Sequence, residues 1–258
     1  MNARSYRKLV EAHAKRLARE PMTLFFTLAF PLLFLLLIGT VFDAGAGGAA
    51  GGAGGGRGAA DAYAYGIDQL VPALVGLVLG SIALTTIPVS TASDREQGVL
   101  RRFKASPMPA WRWVATEVTT YFVVALLGVL LLVVGGLVVY DVRFSGSWVA
   151  VFAGFSLSAL SFIAFGYLVA SLSPTPRVAS VVGQVLYMPM LFLSGAVMPL
   201  SALPDWLHAV AEVFPMTHVV RVMQALWFGR GWPVESVAVL LGVLVVGGGL
   251  SARLFRWE

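Results

Sequence analysis

Cysteine is absent from this 258-residue sequence, and Asp, Glu, Lys and Arg together make up only 12% of it. Without cysteine the chain can form neither a disulfide framework nor a thiolate metal site. Because 58% of the residues are hydrophobic, the composition excludes an ordinary soluble domain and predicts an integral membrane protein. The net charge of +5 does not indicate a nucleic-acid partner, since Lys and Arg are gathered at the ends of apolar runs.

Patterns for catalysis and for nucleotide binding are also missing. The three histidines, His13, His208 and His218, all lie outside the long apolar runs, and neither His-Glu-x-x-His nor Gly-x-Ser-x-Gly occurs. No Gly-Lys-Ser/Thr completes the glycine-rich segment as a phosphate-binding loop. We therefore expect no catalytic site and no metal site in this chain, and we interpret His208 and His218 as ordinary interfacial residues.

Six apolar runs are each long enough to cross a bilayer, whose ~30 Å hydrocarbon core takes about 20 helical residues. They predict six transmembrane helices at 23–42, 67–90, 116–140, 148–171, 178–198 and 233–252. The ionisable candidates Asp68 and Glu117 fall at span ends, so the span interiors carry no charge. A carrier driven by protons or sodium ions needs such groups near the midplane, so we expect any driving energy to come from elsewhere.

Three segments lie outside these runs. Residues 1–22 have helical periodicity and predict a basic helix in the membrane interface, with an ordinary solvated helix as the alternative. Its cationic face carries Arg4, Arg7, Lys8, Lys15 and Arg19. Residues 43–66 include a Gly- and Ala-rich run at 44–60, which predicts a flexible external loop. Residues 199–232 are interrupted by prolines and predict two short helices that dip into or lie on the outer leaflet.

The positions of Lys and Arg predict the orientation. Fourteen of the 18 lie in segments assigned to one side, and only Arg57, Arg143, Arg221 and Arg230 lie on the other. By the positive-inside rule, the N-terminus, the 93–113 loop and the C-terminus are cytoplasmic. Because the polar segment 1–22 precedes the first apolar run, we expect no cleavable signal peptide.

The 93–113 loop is the one long charged segment between two spans, and it reads as a short amphipathic helix closed by prolines. A helical wheel separates two sets of side chains, with Val99, Leu100 and Phe103 on one face beside Glu96, and Arg101, Arg102 and Lys104 around the other. The apolar face suits the groove of a partner protein that supplies mechanical work. The alternative is a surface helix that rests this face on lipid.

These residues resemble a known family. Glu96 and Gly98-Val99-Leu100-Arg101-Arg102, followed by Ala105-Ser106-Pro107, are similar to the segment after the second span of ABC-2-type transporter permeases. Phe192-Leu193-Ser194-Gly195, Pro199, Leu203-Pro204, Phe214-Pro215 and Arg221 are similar to the family's pattern around its fifth span. The resemblance covers essentially the whole chain and is closest to the drug-exporter-like, daunorubicin-resistance-type branch. The Gly- and Ala-rich external run is unusual for it.

The resemblance implies a six-helix transmembrane domain with an interface helix, a cytoplasmic coupling helix and a re-entrant outer helix pair. It also implies a homodimer working with two copies of a separate ABC ATPase, which bind ATP and Mg²⁺. The implied ATPase-coupling residues are Asp94, Arg95, Glu96, Gly98, Val99, Leu100, Arg101, Arg102 and Phe103. In the drug-exporter-like branch the cargo is an amphiphilic or hydrophobic compound taken from the cytoplasm or the inner leaflet.

The substrate path implied by the resemblance is lined by the first, second and fifth spans. Candidate path residues are Thr85, Thr86, Gln184, Tyr187 and Met188. Close helix packing competes with this role in the second span, because small and hydroxyl residues there, such as Gly80, usually let helices approach each other. Two other functions stay open, an exporter of lipid-linked glycan and a membrane scaffold that transports nothing.

Overall fold

Backbone polar groups in a bilayer must be satisfied internally, so a chain this apolar is expected to fold as helices. The computed structural model describes residues 11, 24–51, 57–99, 110–196 and 204–254, and every regular element in those ranges is helical. The helices are α1 Phe30–Gly51, α2 Arg57–Ser81, α3 Ile87–Glu96, α4 Ala110–Tyr140, α5 Trp148–Leu172, α6 Pro176–Leu193, α7 Asp205–Val213, α8 Pro215–Trp227 and α9 Val234–Leu254. One π-helical turn, Phe25–Ala29, precedes α1, and another, Ile82–Thr86, joins α2 to α3.

Five helical stretches are long and apolar enough to cross a membrane, which supports an all-α, multi-pass membrane protein. They are Asp68–Glu96, Arg112–Tyr140, Trp148–Leu172, Pro176–Leu193 and Val234–Leu254. At the first expected span, 23–42, the apolar helix Thr27–Thr40 lies within the continuous helical stretch formed by the π-helical turn Phe25–Ala29 and α1. The sixth span stays a prediction.

The structure corrects the expected flexible loop at 43–66. α1 continues through part of the Gly- and Ala-rich run to Gly51, and α2 begins at Arg57, so most of this segment is helical. Its alanines contribute to this, because alanine has the highest helix propensity and loses no side-chain entropy in a helix. Residues 52–56 lie outside the described ranges.

The stretch Asp68–Glu96 forms one continuous rod, called the central rod below, against which α1, α4, α5, α6 and α8 pack. Leu74, Leu77 and Leu84 are fully buried within it. α1 and α8 pack against α2, whereas α5 and α6 pack against the π-helical turn and α3. At ~1.5 Å per residue its 29 residues measure about 43 Å, which exceeds the ~30 Å hydrocarbon core. The central rod therefore runs past the expected span 67–90 into the predicted coupling loop.

The two ends of the molecule are closed by different contacts. At the end predicted to be external, the Asp68 carboxylate accepts the backbone N–H of Arg143 at 2.9 Å. The indole N–H of Trp227 donates to the Arg143 carbonyl, also at 2.9 Å. These bonds hold the α4–α5 loop to the central rod and to α8. Along the bundle, the Ser161 hydroxyl donates to the Leu240 carbonyl at 2.8 Å and ties α5 to α9.

Candidate coupling site and substrate-facing surface

The central rod ends in the segment that was expected to contact an ATPase. Glu96 is its last residue, and the N–H of Gly98 donates to the Arg95 carbonyl at 3.1 Å. Gly98 has a φ of +70°, the conformation in which glycine commonly ends helices. Helix resumes at Val99. The expected coupling helix therefore does not begin at Asp94, because residues 94–96 belong to the central rod.

Exposure separates the coupling candidates into two groups. Glu96 is exposed, and Gly98 and Val99 are half-buried. Asp94 is only 1% exposed, so the structure places its carboxylate inside the bundle rather than on the surface expected to meet the ATPase. The remaining candidates, Leu100, Arg101, Arg102 and Phe103, lie outside the described residues, as do Arg4, Arg7, Lys8, Lys15 and Arg19 of the expected interface helix.

Arg95 also points into the bundle. Its Nη1 donates to the Ser173 carbonyl at 3.0 Å, and its Nη2 donates to the Ala170 carbonyl at 3.4 Å. Both acceptors lie at the C-terminal end of α5, where the helix dipole favours a cation, and the Ala170 carbonyl also accepts the backbone N–H of Ser173 at 3.3 Å. The guanidinium thus joins the end of the central rod to the end of α5.

A buried acid lies near the same end of the bundle. Glu117 on α4 is fully buried, and its Oε2 accepts the hydroxyl hydrogen of Tyr167 on α5 at 2.7 Å. Sequence reasoning placed Glu117 at a span end but did not predict its burial or its partner. The signal available in the sequence was the cluster of hydroxyl residues around it, Thr116, Thr119 and Thr120. This contact ties α4 to α5.

Two of the five substrate-path candidates, Tyr187 and Thr86, are buried, and Thr85 is half-buried. Tyr187 is 7% exposed, and its hydroxyl donates to the Leu77 carbonyl of the central rod at 3.1 Å. Thr86 is buried, and the Thr85 hydroxyl bonds to the Ser81 carbonyl one turn earlier in its own helix. The Tyr187 bond holds α6 to the central rod, whereas the Thr85 bond lies within one helix, and the roles of these residues in a substrate path stay predictions.

The other two candidates share an exposed face of α6. Gln184 and Met188 lie one turn apart on this face, together with Val181 and Val185. The opposite face of α6 is buried against the bundle through Tyr187 and its neighbours. An exposed amide among apolar side chains is unusual in a membrane span, because lipid offers it no hydrogen-bond partner. The four residues, called the α6 face below, therefore mark a surface that suits something other than lipid.

His218 corrects an expectation. It was interpreted as an interfacial residue, but it is 4% exposed. Its Nε2 lies 2.9 Å from the Glu212 carbonyl and its Nδ1 lies 3.1 Å from the Ser236 hydroxyl. Since a carbonyl can only accept, Nε2 carries the hydrogen of that bond. The imidazole therefore links α8 to the end of α7 and to α9 as a buried structural contact.

The comparison with protein families decides which family this membrane protein belongs to. The sequence model of the ABC-2 type transporter family matches residues 4–228. The chain belongs to this family. The match extends from the expected interface helix to the residue after α8, so it includes the central rod, Arg95 and the α6 face. The resemblance seen in the sequence motifs is thereby confirmed.

Two of the relatives reported for this ABC-2 family chain carry transporter names. The probable multidrug ABC transporter permease YbhR of Escherichia coli K12 is 27% identical over 192 residues, which cover 72% of this chain and 52% of that protein. The daunorubicin resistance ABC transporter permease protein DrrB1 of Streptomyces coeruleorubidus is 30% identical over 206 residues, which cover 71% and 67%. Nodulation protein J of Rhizobium meliloti is 31% identical over 105 residues. The chain thus spans about half the length of YbhR.

Proposed function

We propose that this chain is the transmembrane permease subunit of an ATP-driven ABC exporter, located in the cell membrane with both termini in the cytoplasm. The observation that carries the proposal is the central rod of an ABC-2 family member. In an 18-residue apolar stretch of this rod 89% of the residues are buried, and the rod is longer than the bilayer core and ends at the exposed Glu96 of the family's motif. A buried rod that protrudes on one side is suited to bring a push from a soluble partner into the bundle.

The nucleotide chemistry is assigned to a separate subunit. This sequence has no Gly-Lys-Ser/Thr phosphate loop, so we expect ATP and Mg²⁺ to be bound by two copies of a partner ATPase. Glu96 and the following apolar residues, Val99, Leu100 and Phe103, are the proposed contact with that ATPase. The chain itself acts as a permease and carries out no catalysis.

We assign an amphiphilic or hydrophobic cargo taken from the cytoplasm or the inner leaflet. The names of two relatives support a drug-like compound, since one is called a multidrug permease and the other a daunorubicin resistance permease. The α6 face supports the same class, because it combines the amide of Gln184 with the apolar Val185 and Met188. A compound with both polar and apolar parts matches such a surface.

The decisive experiment is purification of the tagged chain together with any ABC ATPase found encoded next to it, followed by ATP hydrolysis in lipid nanodiscs. We expect a stable complex whose hydrolysis is stimulated by amphiphiles such as daunorubicin, with empty nanodiscs and the ATPase alone as controls. If the chain binds no ATPase, the exporter proposal fails and a membrane scaffold becomes the better interpretation. Stimulation by lipid-linked glycan alone would overturn the assigned cargo.

The coupling segment is tested in the same complex. Leu100→Asp or Phe103→Asp is expected to uncouple ATP hydrolysis from amphiphile stimulation, because a carboxylate removes the apolar face proposed for the ATPase groove. Insertion of the spans is checked by membrane fractionation. Glu258→Gln, a change of one carboxylate far along the chain from the loop, serves as the control. Wild-type stimulation in both Asp variants would remove this segment from the coupling mechanism.

A further inference from the structure

Arg95 takes part in two contacts at once, because its backbone bonds to Gly98 in the turn after the central rod and its side chain bonds to the end of α5. Its backbone carbonyl accepts the N–H of Gly98 and so closes the turn that ends the central rod. Its guanidinium makes a separate contact, in which it donates to the carbonyls of Ala170 and Ser173 at the end of α5. Any displacement of the turn at Gly98 therefore displaces the group that holds the end of α5.

The connection beyond α5 is short and hydrogen-bonded on both sides. Ser173 is 1% exposed, and its hydroxyl donates to the Val169 carbonyl at 2.8 Å. Two residues later, the Thr175 side chain accepts the N–H of Val178 at 3.3 Å and caps α6, whose first residue is Pro176. With so little chain between the two helices, a shift of the last turn of α5 must also move the first turn of α6.

α6 is the helix that carries the α6 face. Its buried side packs against α3 and the π-helical turn of the central rod, and its opposite side presents Gln184 and Met188. We propose that Arg95 is a positioning residue that links the ATPase-facing end of the central rod to α6 through the C-terminus of α5. The inference rests on the proposed function, because it assigns a route for the push that the ATPase delivers.

The chemistry of the link favours arginine over lysine. A guanidinium is a planar fork whose Nη1 and Nη2 can each donate to a different carbonyl, as they do here to Ser173 and Ala170. A lysine ammonium keeps the charge but lacks the planar, fixed pair of donors. Arg95→Lys is therefore expected to keep the fold and to weaken the link, whereas Arg95→Gln removes the charge and should weaken the link further.

The first test uses the chain alone in lipid nanodiscs, so that its result does not depend on any ATPase. Hydrogen–deuterium exchange is measured for peptides that cover residues 168–180. In Arg95→Gln we expect exchange at the end of α5 to rise roughly tenfold, because the opening of that turn no longer breaks a charged hydrogen bond. Arg177→Gln is the matched control, since this exposed arginine lies beside the same turn. Equal exchange in Arg95→Gln, Arg177→Gln and the wild type would overturn the proposal.

The second test asks whether the link transmits work. In the complex with the ATPase, we expect amphiphile stimulation of hydrolysis to be lost in Arg95→Gln, intermediate in Arg95→Lys and unchanged in Arg177→Gln. If exchange rises but stimulation stays at the wild-type value, Arg95 is only a structural clamp and the proposed transmission is wrong. If the wild-type chain binds no ATPase while Arg95→Gln still alters exchange, the exporter assignment fails and the contact between the rod and α5 stands.

Discussion

Glu117 is fully buried in a chain that has only 13 acidic residues, and a buried carboxyl is stable only when it is hydrogen-bonded. The hydroxyl of Tyr167 donates one such bond at 2.7 Å. Tyr121 on α4 is also fully buried, so this end of the bundle is a polar cluster enclosed by packed helices. Such clusters hold helices in one arrangement, because each polar group depends on its partner for satisfaction.

The first prediction measures the Glu117–Tyr167 contact. Tyr167→Phe leaves Oε2 of Glu117 without the donor it now has, and we expect the free energy of unfolding to fall by about 1–3 kcal/mol. Glu117→Leu is expected to be destabilising as well, and the double variant should lose less than the sum of the two. Thermal unfolding in detergent gives all four corners of this double-mutant cycle. Strictly additive losses would show that the two side chains do not interact.

Glu212 and Arg221 provide a pH-dependent contact outside the long spans. The guanidinium donates to both carboxylate oxygens, at 2.7 Å for Nη1 to Oε2, and this hydrogen bonding holds the pKa of Glu212 below its ordinary value. A lowered pKa means that the contact stabilises the protein above the ordinary glutamate pKa of about 4.3 and is lost as the pH falls through the lowered value. Both side chains are partly exposed, so the contribution is about 1 kcal/mol or less.

The second prediction follows from the lowered pKa of Glu212. The unfolding temperature of the wild type should exceed that of Glu212→Gln at pH 7, and the difference should shrink as the pH is lowered toward 3. High salt should reduce the difference at pH 7 too, because it screens exposed ion pairs. Glu235→Gln, at the start of α9, is the control for loss of one carboxylate. A difference that grows at low pH would contradict the assigned direction of the pKa shift.

At the scale of elements, α6 and α5 both approach the π-helical turn of the central rod very closely. A Cβ atom added at Gly183 of α6 would overlap the carbonyl oxygen of Leu84, and one added at Gly166 of α5 would lie 2.5 Å from the carbonyl oxygen of Ala83. Contacts this close to a backbone leave no room for a side chain. The expectation that small residues mean close packing is confirmed at Gly80 too, where a Cβ would lie 2.6 Å from the ring of Tyr187.

The third prediction tests this packing. Gly183→Ala is expected to push α6 away from the central rod and to lower the free energy of unfolding by about 1–3 kcal/mol, the usual cost of overpacking. Gly248→Ala in α9 is the control, because no atom lies within 4 Å of its added methyl group. It should be neutral or stabilise the protein by up to ~1 kcal/mol through helix propensity. Equal losses in both variants would argue against the close approach of α6.

Elements were more predictable from the sequence than their contacts. Apolar runs predicted helices wherever the described residues include them, because hydropathy alone carries that signal. The extension of the central rod to Glu96 was missed, since the charged Asp94 and Arg95 were assigned to a separate cytoplasmic coupling helix. The guanidinium of Arg95 contacts α5 through Ala170, which lies 75 residues further along the sequence. Pairings of that kind leave no periodic pattern, so periodicity cannot reveal them.

At the scale of the whole molecule, the α6 face is the surface that most needs a partner. Val185 is 66% exposed and Met188 is 46% exposed, and the exposed Gln184 lies beside them on the same face. A polar amide that faces lipid has no hydrogen-bond partner, whereas a second copy related by a two-fold axis brings the same patch, and its amide, opposite. The implied homodimer is therefore predicted to form around this face, with the proposed cargo surface between the two copies.

The last prediction uses the absence of cysteine, which makes every introduced thiol unique. Val185→Cys or Met188→Cys should form a disulfide-linked dimer in oxidised membranes, because residues near a two-fold axis approach their own counterparts closely enough for an S–S bond. Val245→Cys on α9 is the matched control, since Val245 is 70% exposed and Val185 is 66% exposed. Equal cross-linking at all three positions would indicate random collision, and cross-linking at Val245 alone would place the dimer contact on α9. Selective cross-linking at α6 would indicate that the two Gln184 amides lie at one interface. The proposed link from Arg95 through α5 would then move the α6 helices of both copies at that interface.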